Sequence, residues 1–417
     1  MRQAALIVAA GWALAAGAGC TRMAAQSVTQ VAPELELPPI RVILGDSYDS
    51  VSVSSARTYR IDAVRAHHDT VTYYTVAPMV IRRGMTGLML VDRGWHILEA
   101  NLESVHLATQ EPGGYVRIQG RPYRGELRVR QSGAKGLAVV NRLGMESYLF
   151  GVVAGEIGFA EWGMTAAIEA QAVAARTYAF AHLGQYGNKD FDLRADVLDQ
   201  VYGGVAAEHP LVTQSVWSTR GRVLRYNGEY VRAYYHSTCG GATEDVEEVW
   251  DQPPRPYLTA VDDDRYCAWS SYWDWTEVCT RAWLDSNVAA FLRNEKLDSS
   301  KNLGKLLGMQ IESRRASGRV DELLLKFEHG HVPVRGDKSR WALGRPSRKS
   351  GILPSANYEI EFDREGARWR KVTVRGHGYG HGVGMCQCGA IGRSRAGQTY
   401  EEILLAYYTG ARLETVY

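Results

Sequence analysis

The chain has 417 residues, too many for one small core, and its 45% hydrophobic and 23% charged residues are the composition of an ordinary folded protein. Forty-eight basic residues against 46 acidic ones leave a formal charge of +2, which gives no electrostatic case for a polyanionic partner, so no nucleic acid is expected. Tyr (23) and Trp (11) far outnumber Phe (7). Rings with a polar tip suit half-wet grooves such as those for sugars, and they also serve as plain strand residues.

Residues 1–20, MRQAALIVAAGWALAAGAGC, hold one early Arg, an apolar run from Ala4 to Ala16, small residues, and then Cys20. The run is too short for a membrane span and reads as an export signal. Its end resembles a bacterial lipoprotein signal, in which the Cys becomes the lipidated first residue, with Gly17 where such signals usually carry Leu. A plain cleaved signal followed by a coincidental Cys is the other reading. The protein is expected to be exported to the cell envelope, touching a membrane only through a lipid on Cys20. Residues 21–38 are polar and proline-punctuated, and read as a tether.

From Ile40 the segments IRVILGD, SVSVSS, RTYRID, GLMLVD and WHILEANL alternate apolar and polar residues, which predicts a β-rich region over 39–123. LRVRQ and LAVVNRL continue in that style at the start of a core over 124–417, whose stretch 280–375 is more variable in character. MESYLFGVV then sets Leu149, Val152 and Val153 on one helical face, with Glu156 just beyond. The segment Thr165–His182 has eight alanines between Ala166 and Ala181, the mark of a central helix approached closely on several sides. On it Gln171 and Tyr178 share one face with Ala174 and Ala175, and Glu169 and Arg176 share another.

RGRVLRYNGEYVRAYYHSTCGG reads as a hairpin turning at Asn227-Gly228. An aromatic cluster follows with Trp269, Tyr272, Trp273 and Trp275; residues 283–312 read as weakly helical; SGRVDELLLKFEHGHVPVRG is a second hairpin with Gly330 in its turn. Thr399 and Glu402 form a capping box for a last helix with Ile403, Leu404 and Tyr407 on its inner side. The expected architecture is α+β: a central Ala-rich helix packed on antiparallel strands, preceded by a β-rich N-terminal region.

Glu156 is the best acid/base candidate. It follows an apolar face and lies next to a buried helix, a setting that raises a carboxyl pKa and lets it hold a proton for a leaving oxygen. A solvated carboxylate at a helix end is the plain alternative. Arg176 in an alanine-rich helix must be paired, with Glu169 or another acid, or else reach a groove, since an unpaired buried guanidinium is costly.

In GHGYGHGVGMCQCGA every second residue from Gly376 to Gly384 is glycine. An extended run would leave one face bare for a close neighbour and project His377, Tyr379, His381, Val383 and Met385 from the other. Two histidines four apart on a strand lie about 13 Å from each other, too far to share a metal. Beyond Cys20 the chain has Cys239, Cys267, Cys279, Cys386 and Cys388. His236, Cys239, Cys267 and Cys386 could meet in a mixed zinc site; export favours a Cys239–Cys267 disulfide instead, so no metal or cofactor is expected. Ser237 and Thr238 precede a Gly-Gly pair and could donate hydrogen bonds to a ligand.

Taken in order, GVVAGE, EAQAVAARTYAF, YYHSTCGG, residues 243–250, PYLTAVDD and GHGYGHGVGMCQCGA resemble the SpoIID/LytB family over roughly 120–417. That group takes in the stage II sporulation protein D and the amidase-enhancer proteins. The resemblance implies a SpoIID-like core and a lytic transglycosylase acting on peptidoglycan glycan strands stripped of their stem peptides by an amidase. It implies Glu156 as the catalytic residue, protonating the glycosidic oxygen and then accepting a proton as the muramic C6 hydroxyl closes on C1 to give a 1,6-anhydro end. Gln171, Arg176, Ser237, Thr238 and His381 match motif positions along the substrate groove, to which Tyr178 on the Gln171 face is added. The chain departs from the family pattern at Ile157-Gly158, where Met-Pro is common, and at Glu169, where sporulation members have Lys. Two other readings are a non-catalytic glycan-binding partner of a cell-wall amidase and a zinc hydrolase built on His236 and the cysteines.

Overall fold

Strict alternation of burial builds the N-terminal sheet. In the computed structural model, which describes residues 37–417 apart from 66–68, 134–135, 159–162, 298–301, 349–350 and 367, strand Tyr59–Arg65 buries Tyr59, Ile61 and Ala63 and leaves the residues between them half-exposed. Strand Ser50–Ser54 buries Val51 and Val53 in the same way. The expected export signal, Cys20 and nearly all of the tether lie outside the described residues.

Twelve strands form this sheet. Its longest, Ile97–Thr109, pairs antiparallel with Tyr59–Arg65, Leu88–Asp92 and Glu126–Ser132. The sheet does not stop at residue 123, because Glu126–Ser132 pairs with Gly136–Leu143, which pairs with the first strand, Ile40–Tyr48. LRVRQ carries the same alternation as the segments before it, and LAVVNRL, with an apolar run buried on both faces, pairs on its outer edge with the first strand.

The helices are α1 (Met145–Ile157), α2 (Thr165–Ala181), α3 (Pro210–Ser218), α4 (Val246–Val249), α5 (Arg281–Asn294), α6 (Ser339–Leu343), α7 (Gln387–Arg395) and α8 (Tyr400–Tyr407). Glu156 stands inside the last turn of α1 rather than beyond it, and Gly158 ends the helix with φ +84°. The α2 helix packs against α1, α3, α7, α8 and the strand Arg222–Tyr226. Ala167, Ala170, Ala172, Ala174, Ala175 and Ala179 are fully buried there, and their small side chains let that many neighbours approach one helix. The α8 capping box forms as expected, and Ile403, Leu404 and Tyr407 face inward.

The hairpin at Asn227-Gly228 forms, with both residues at positive φ as a two-residue turn demands. Its second strand is short, and the chain leaves it so that Tyr235–His236 can pair in parallel with Met385–Cys386. Two expectations are corrected. Only the first half of 283–312 is helical: Leu306–Arg314 is a strand, recruited by the strongly apolar Val320–Phe327, which pairs on its other side with Gly330–Arg335. The alternating glycines are not an extended run. Strand Arg368–Gly376 ends where they begin, and Gly378, Gly380, Gly382 and Gly384 take φ of +84°, +113°, +91° and +69°. The bare side does admit a close neighbour, the YYHSTCGG segment: a Cβ on Gly384 would stand 2.1 Å from the Tyr234 carbonyl oxygen, and one on Gly378 2.8 Å from that of Thr238.

One hydrophobic core joins the large sheet to α1, α2 and α8. A second core lies within residues 275–374, around Leu284, Val288, Leu323, Leu325, Val372 and Val374. Among the described residues no helix is long and apolar enough to cross a membrane.

Candidate active site

Two glycines one turn apart on α1 decide where its last turn points. A Cβ on Gly151 would meet the Tyr202 ring at 2.7 Å and the Gly204 carbonyl at 3.0 Å, and one on Gly155 would meet the Val201 carbonyl at 3.1 Å. The chain at 201–204 therefore lies directly on the helix, held by the Gly203 N–H to the Gly151 carbonyl at 3.1 Å. That contact brings the Val201 N–H to 2.6 Å from Oε1 of Glu156.

Glu156 is half-buried, and among the described residues no basic side chain pairs with it. Burial pushes its carboxyl from 4.5 up to about 7, while hydrogen bonds from the Val201 N–H, Tyr235 and Gln387 pull the other way. The negative end of the α1 dipole also favours the protonated form. The neighbours are themselves fixed. Buried Gln200 accepts from the Tyr148 hydroxyl at 3.0 Å and donates its amide to the Tyr235 hydroxyl at 2.9 Å. With its oxygen accepting from Gln200, Tyr235 has its own proton free to give to Glu156. Gln387, the first residue of α7, donates to the Glu156 carbonyl at 3.1 Å and to Oε1 of Gln171 at 3.4 Å.

Glu156 opens on a cleft of about 340 Å³, lined by Val197, Leu198, Asp199 and Val201 together with residues 234–237, Trp250 and 379–381. The size suits a small-molecule or single-sugar subsite. Leu198 and Val197 are 70% and 86% exposed at its rim. The other carboxylate in the lining, Asp199, accepts from the hydroxyls of Tyr178 and Tyr186, from Gln185 and from the Arg194 N–H. Its oxygens are thus occupied by the fold.

Two histidines border the cleft in neutral form. His381 accepts the Val383 N–H at Nδ1 and so must donate from Nε2 to the Tyr235 carbonyl, each at 3.0 Å. Burial pushes its pKa down to about 3. His236 donates from Nδ1 to the Val383 carbonyl at 3.2 Å, which leaves Nε2 as a lone pair with no partner among the described residues. Its pKa too is held well below the usual value by burial.

Two family models match the chain: residues 133–226 match one described as stage II sporulation protein, and 267–384 match a domain of unknown function. An uncharacterised protein of Brachyspira hyodysenteriae is 32% identical over 275 residues, 66% of this chain and 67% of that protein. The stage II sporulation protein D of Bacillus subtilis is 30% identical over 291 residues, 66% of this chain and 75% of that one. The chain belongs to the SpoIID/LytB family. The Bacillus subtilis amidase enhancer is 27% identical over 375 residues, covering 78% of this chain and 50% of its own length. The stretch matched by the sporulation-protein model holds α1, α2 and the 201–204 segment.

Of the candidate site residues, Glu156, Tyr178, Ser237 and His381 line the cleft. Gln171 lies behind it, fully buried against Gln387. Thr238 is also buried, with its hydroxyl on that of Ser270 at 2.9 Å. Arg176 does not reach the cleft: it is fully buried and forms a two-point pair with Glu146 at 3.0 and 2.6 Å. Of the two partners left open, Glu169 or another acid, it is the other acid that pairs, while Glu169 accepts from Ser218 at 2.6 Å. His236 is in the cleft wall and not among the cysteines. Gln200, Tyr235 and Gln387 were not singled out, although YYHSTCGG and GMCQCGA contain two of them. The available signal was Gln387, a long polar side chain inside the Gly-rich GHGYGHGVGMCQCGA.

Proposed function

We propose that this protein acts on cell-wall glycan as a lytic transglycosylase, with Glu156 as its single acid/base. The observation that carries the reading is a carboxyl held at a pKa of about 7 by burial, facing a cleft whose other carboxylate is already engaged. A pair of free carboxylates would suit hydrolysis with water or a covalent glycosyl intermediate. A lone acid with a near-neutral pKa suits a reaction in which one group gives a proton to the leaving oxygen and then takes one from an internal hydroxyl. The substrate class is peptide-stripped peptidoglycan, and the cleaved strand ends in a 1,6-anhydro-muramic residue. Tyr178, Tyr234, Tyr235, Trp250 and Tyr379 supply rings with polar tips on which sugar faces can rest. Ser237 and the unpartnered Nε2 of His236 supply hydrogen-bonding groups.

Mass spectrometry of amidase-treated glycan strands after incubation with the protein tests the reading. Anhydro-muramic ends from the wild type, absent with Glu156→Gln, are expected; reducing ends would make the protein a hydrolase. The likeness to an amidase enhancer supports a second reading, a non-catalytic glycan-binding protein that speeds a cell-wall amidase. Strands bound without cleavage, with faster amidase turnover in a mixture, would establish that reading instead.

A further inference from the structure

Behind the cleft wall three chain segments bring together four side chains that the proposed glycan chemistry does not use. Cys239 comes from the HSTCGG loop, Asp263 and Cys267 from the segment after it, and Cys386 from the residue before α7. All four are fully buried, and their ligand atoms lie within 4.8 Å of one another. The sulfur of Cys239 is 3.3 Å from that of Cys267 and 3.2 Å from Oδ2 of Asp263. The expected Cys239–Cys267 disulfide is not formed: all five described cysteines are free.

We propose that Cys239, Asp263, Cys267 and Cys386 bind a structural zinc ion. A tetrahedral site with Zn–S of about 2.3 Å and Zn–O of about 2.0–2.2 Å sets its ligand atoms roughly 3.5–3.8 Å apart. The Cys239 sulfur stands a few tenths of an ångström inside that spacing from both Cys267 and Asp263, and no pair of the four ligand atoms exceeds 4.8 Å, so shifts of up to about an ångström would seat the ion. Sulfur-rich tetrahedral sets select zinc over harder cations. Full burial leaves no open coordination position, which makes the site a clamp and not a catalytic centre.

Hydrogen-bond donors already surround the cluster. The Cys386 sulfur receives the N–H groups of Cys239 and Gly389, each at 3.2 Å. Asp263 is oriented by its other oxygen, Oδ1, which accepts from the Tyr407 hydroxyl at 2.5 Å and from Arg393 at 3.4 Å, so that Oδ2 faces the sulfurs. Such outer hydrogen bonds are what fix metal ligands in place. A disulfide would use two of the three sulfurs and leave the third, with its two N–H donors, beside a buried carboxylate. A divalent cation uses all four groups, once the thiols release their protons.

The ion would tie the loop that carries His236 and Ser237 to the start of α7, where Gln387 holds the carbonyl of Glu156. It thereby fixes the far wall of the cleft relative to the acid, whatever reaction the cleft performs.

Elemental analysis of the purified full chain, with thiols counted after denaturation and chelation, is the test. One zinc per chain and five reactive thiols among the described cysteines are expected. In metal-free protein, cobalt(II) should give thiolate charge-transfer absorption. Cys386→Ser should lower zinc affinity by at least about 100-fold, with Cys388→Ser and Cys279→Ser unchanged; if Cys386→Ser does not fold, Asp263→Asn serves in its place. Intact mass two units low with a Cys239–Cys267 linked peptide and no metal would overturn the proposal. So would fully reduced protein that takes up neither zinc nor cobalt.

Discussion

The two ends of α1 each carry a glutamate, and the folded chain treats them in opposite ways. Glu146, in the first turn, is 2% exposed and meets the Arg176 guanidinium at two points, with the Gly221 N–H and the Tyr417 hydroxyl also on Oε1. Glu156, in the last turn, is half-buried, has no cation beside it among the described residues, and faces a cleft. The helix dipole stabilises the charge of the first and opposes that of the second. A buried carboxylate with its counter-ion holds two helices and the chain end together; one without a counter-ion keeps its proton near neutral pH and can give it away.

Removing the acid should show this contrast most strongly. Glu156→Gln keeps the shape and the Val201 contact and is expected to lower glycan cleavage by about 10³-fold, with the folded state retained. Mass-spectrometric counting of strand ends reads the rate, and a variant with near wild-type cleavage would remove Glu156 from the chemistry.

The opposite end should respond in stability. Arg176→Met strands the Glu146 carboxylate in the core and is expected to cost about 3–5 kcal/mol in urea unfolding. Replacing both partners, as Glu146→Leu with Arg176→Met, should recover most of that, because the apolar pair leaves no buried charge. A double variant as unstable as the single one would mean that Glu146 is held chiefly by Gly221 and Tyr417.

Titration reads out the acid at the open end of the helix. The Glu156 carboxyl rises from 4.5 to about 7 on folding, so the folded protein binds the extra proton and loses stability as pH climbs through that window. In Glu156→Gln that slope should vanish, leaving the variant about 1–2 kcal/mol more stable above pH 7, after allowance for a half-exposed group. Cleavage by the wild type should fall tenfold per pH unit above about 7, as the acid form is lost. Melting curves from pH 5 to 8 on both proteins check the first point, and kcat/KM over the same range checks the second.

How much of this could be read beforehand depends on the reach of each contact. Period-two burial, the Asn227-Gly228 turn, the Thr399–Glu402 cap and the alanine-rich helix are local, and their residues state them directly. Glu156 was legible because an apolar helical face ends in an acid. That Arg176 needs a partner was legible too; that the partner is Glu146, 30 residues away on another helix, was not. The rest of the site is assembled from further still, with Val201 45 residues from Glu156 and Gln387 231 residues from it. The glycine run misled for a related reason. Its alternation mimics a strand, whereas its purpose is close approach to the HSTCGG backbone, which only the tertiary fold reveals.

The smallest expected effect concerns the group that tunes the acid without touching the leaving oxygen. Tyr235 lowers the Glu156 pKa through its hydroxyl, against the larger effect of burial. Gln200 keeps that hydroxyl aimed by donating to its oxygen, and Tyr148 holds Gln200. Tyr235→Phe removes the donor and adds no charge, so the acid form of Glu156 should persist to higher pH. The alkaline limb of the cleavage profile is expected to move up by about half a unit to one unit, with the plateau rate changed less than tenfold. The Gln200 amide loses a partner in the same variant, so some loss of stability is expected alongside. A limb that moved down instead would show that Tyr235 favours the protonated carboxyl and adds to burial and the helix terminus in holding the proton.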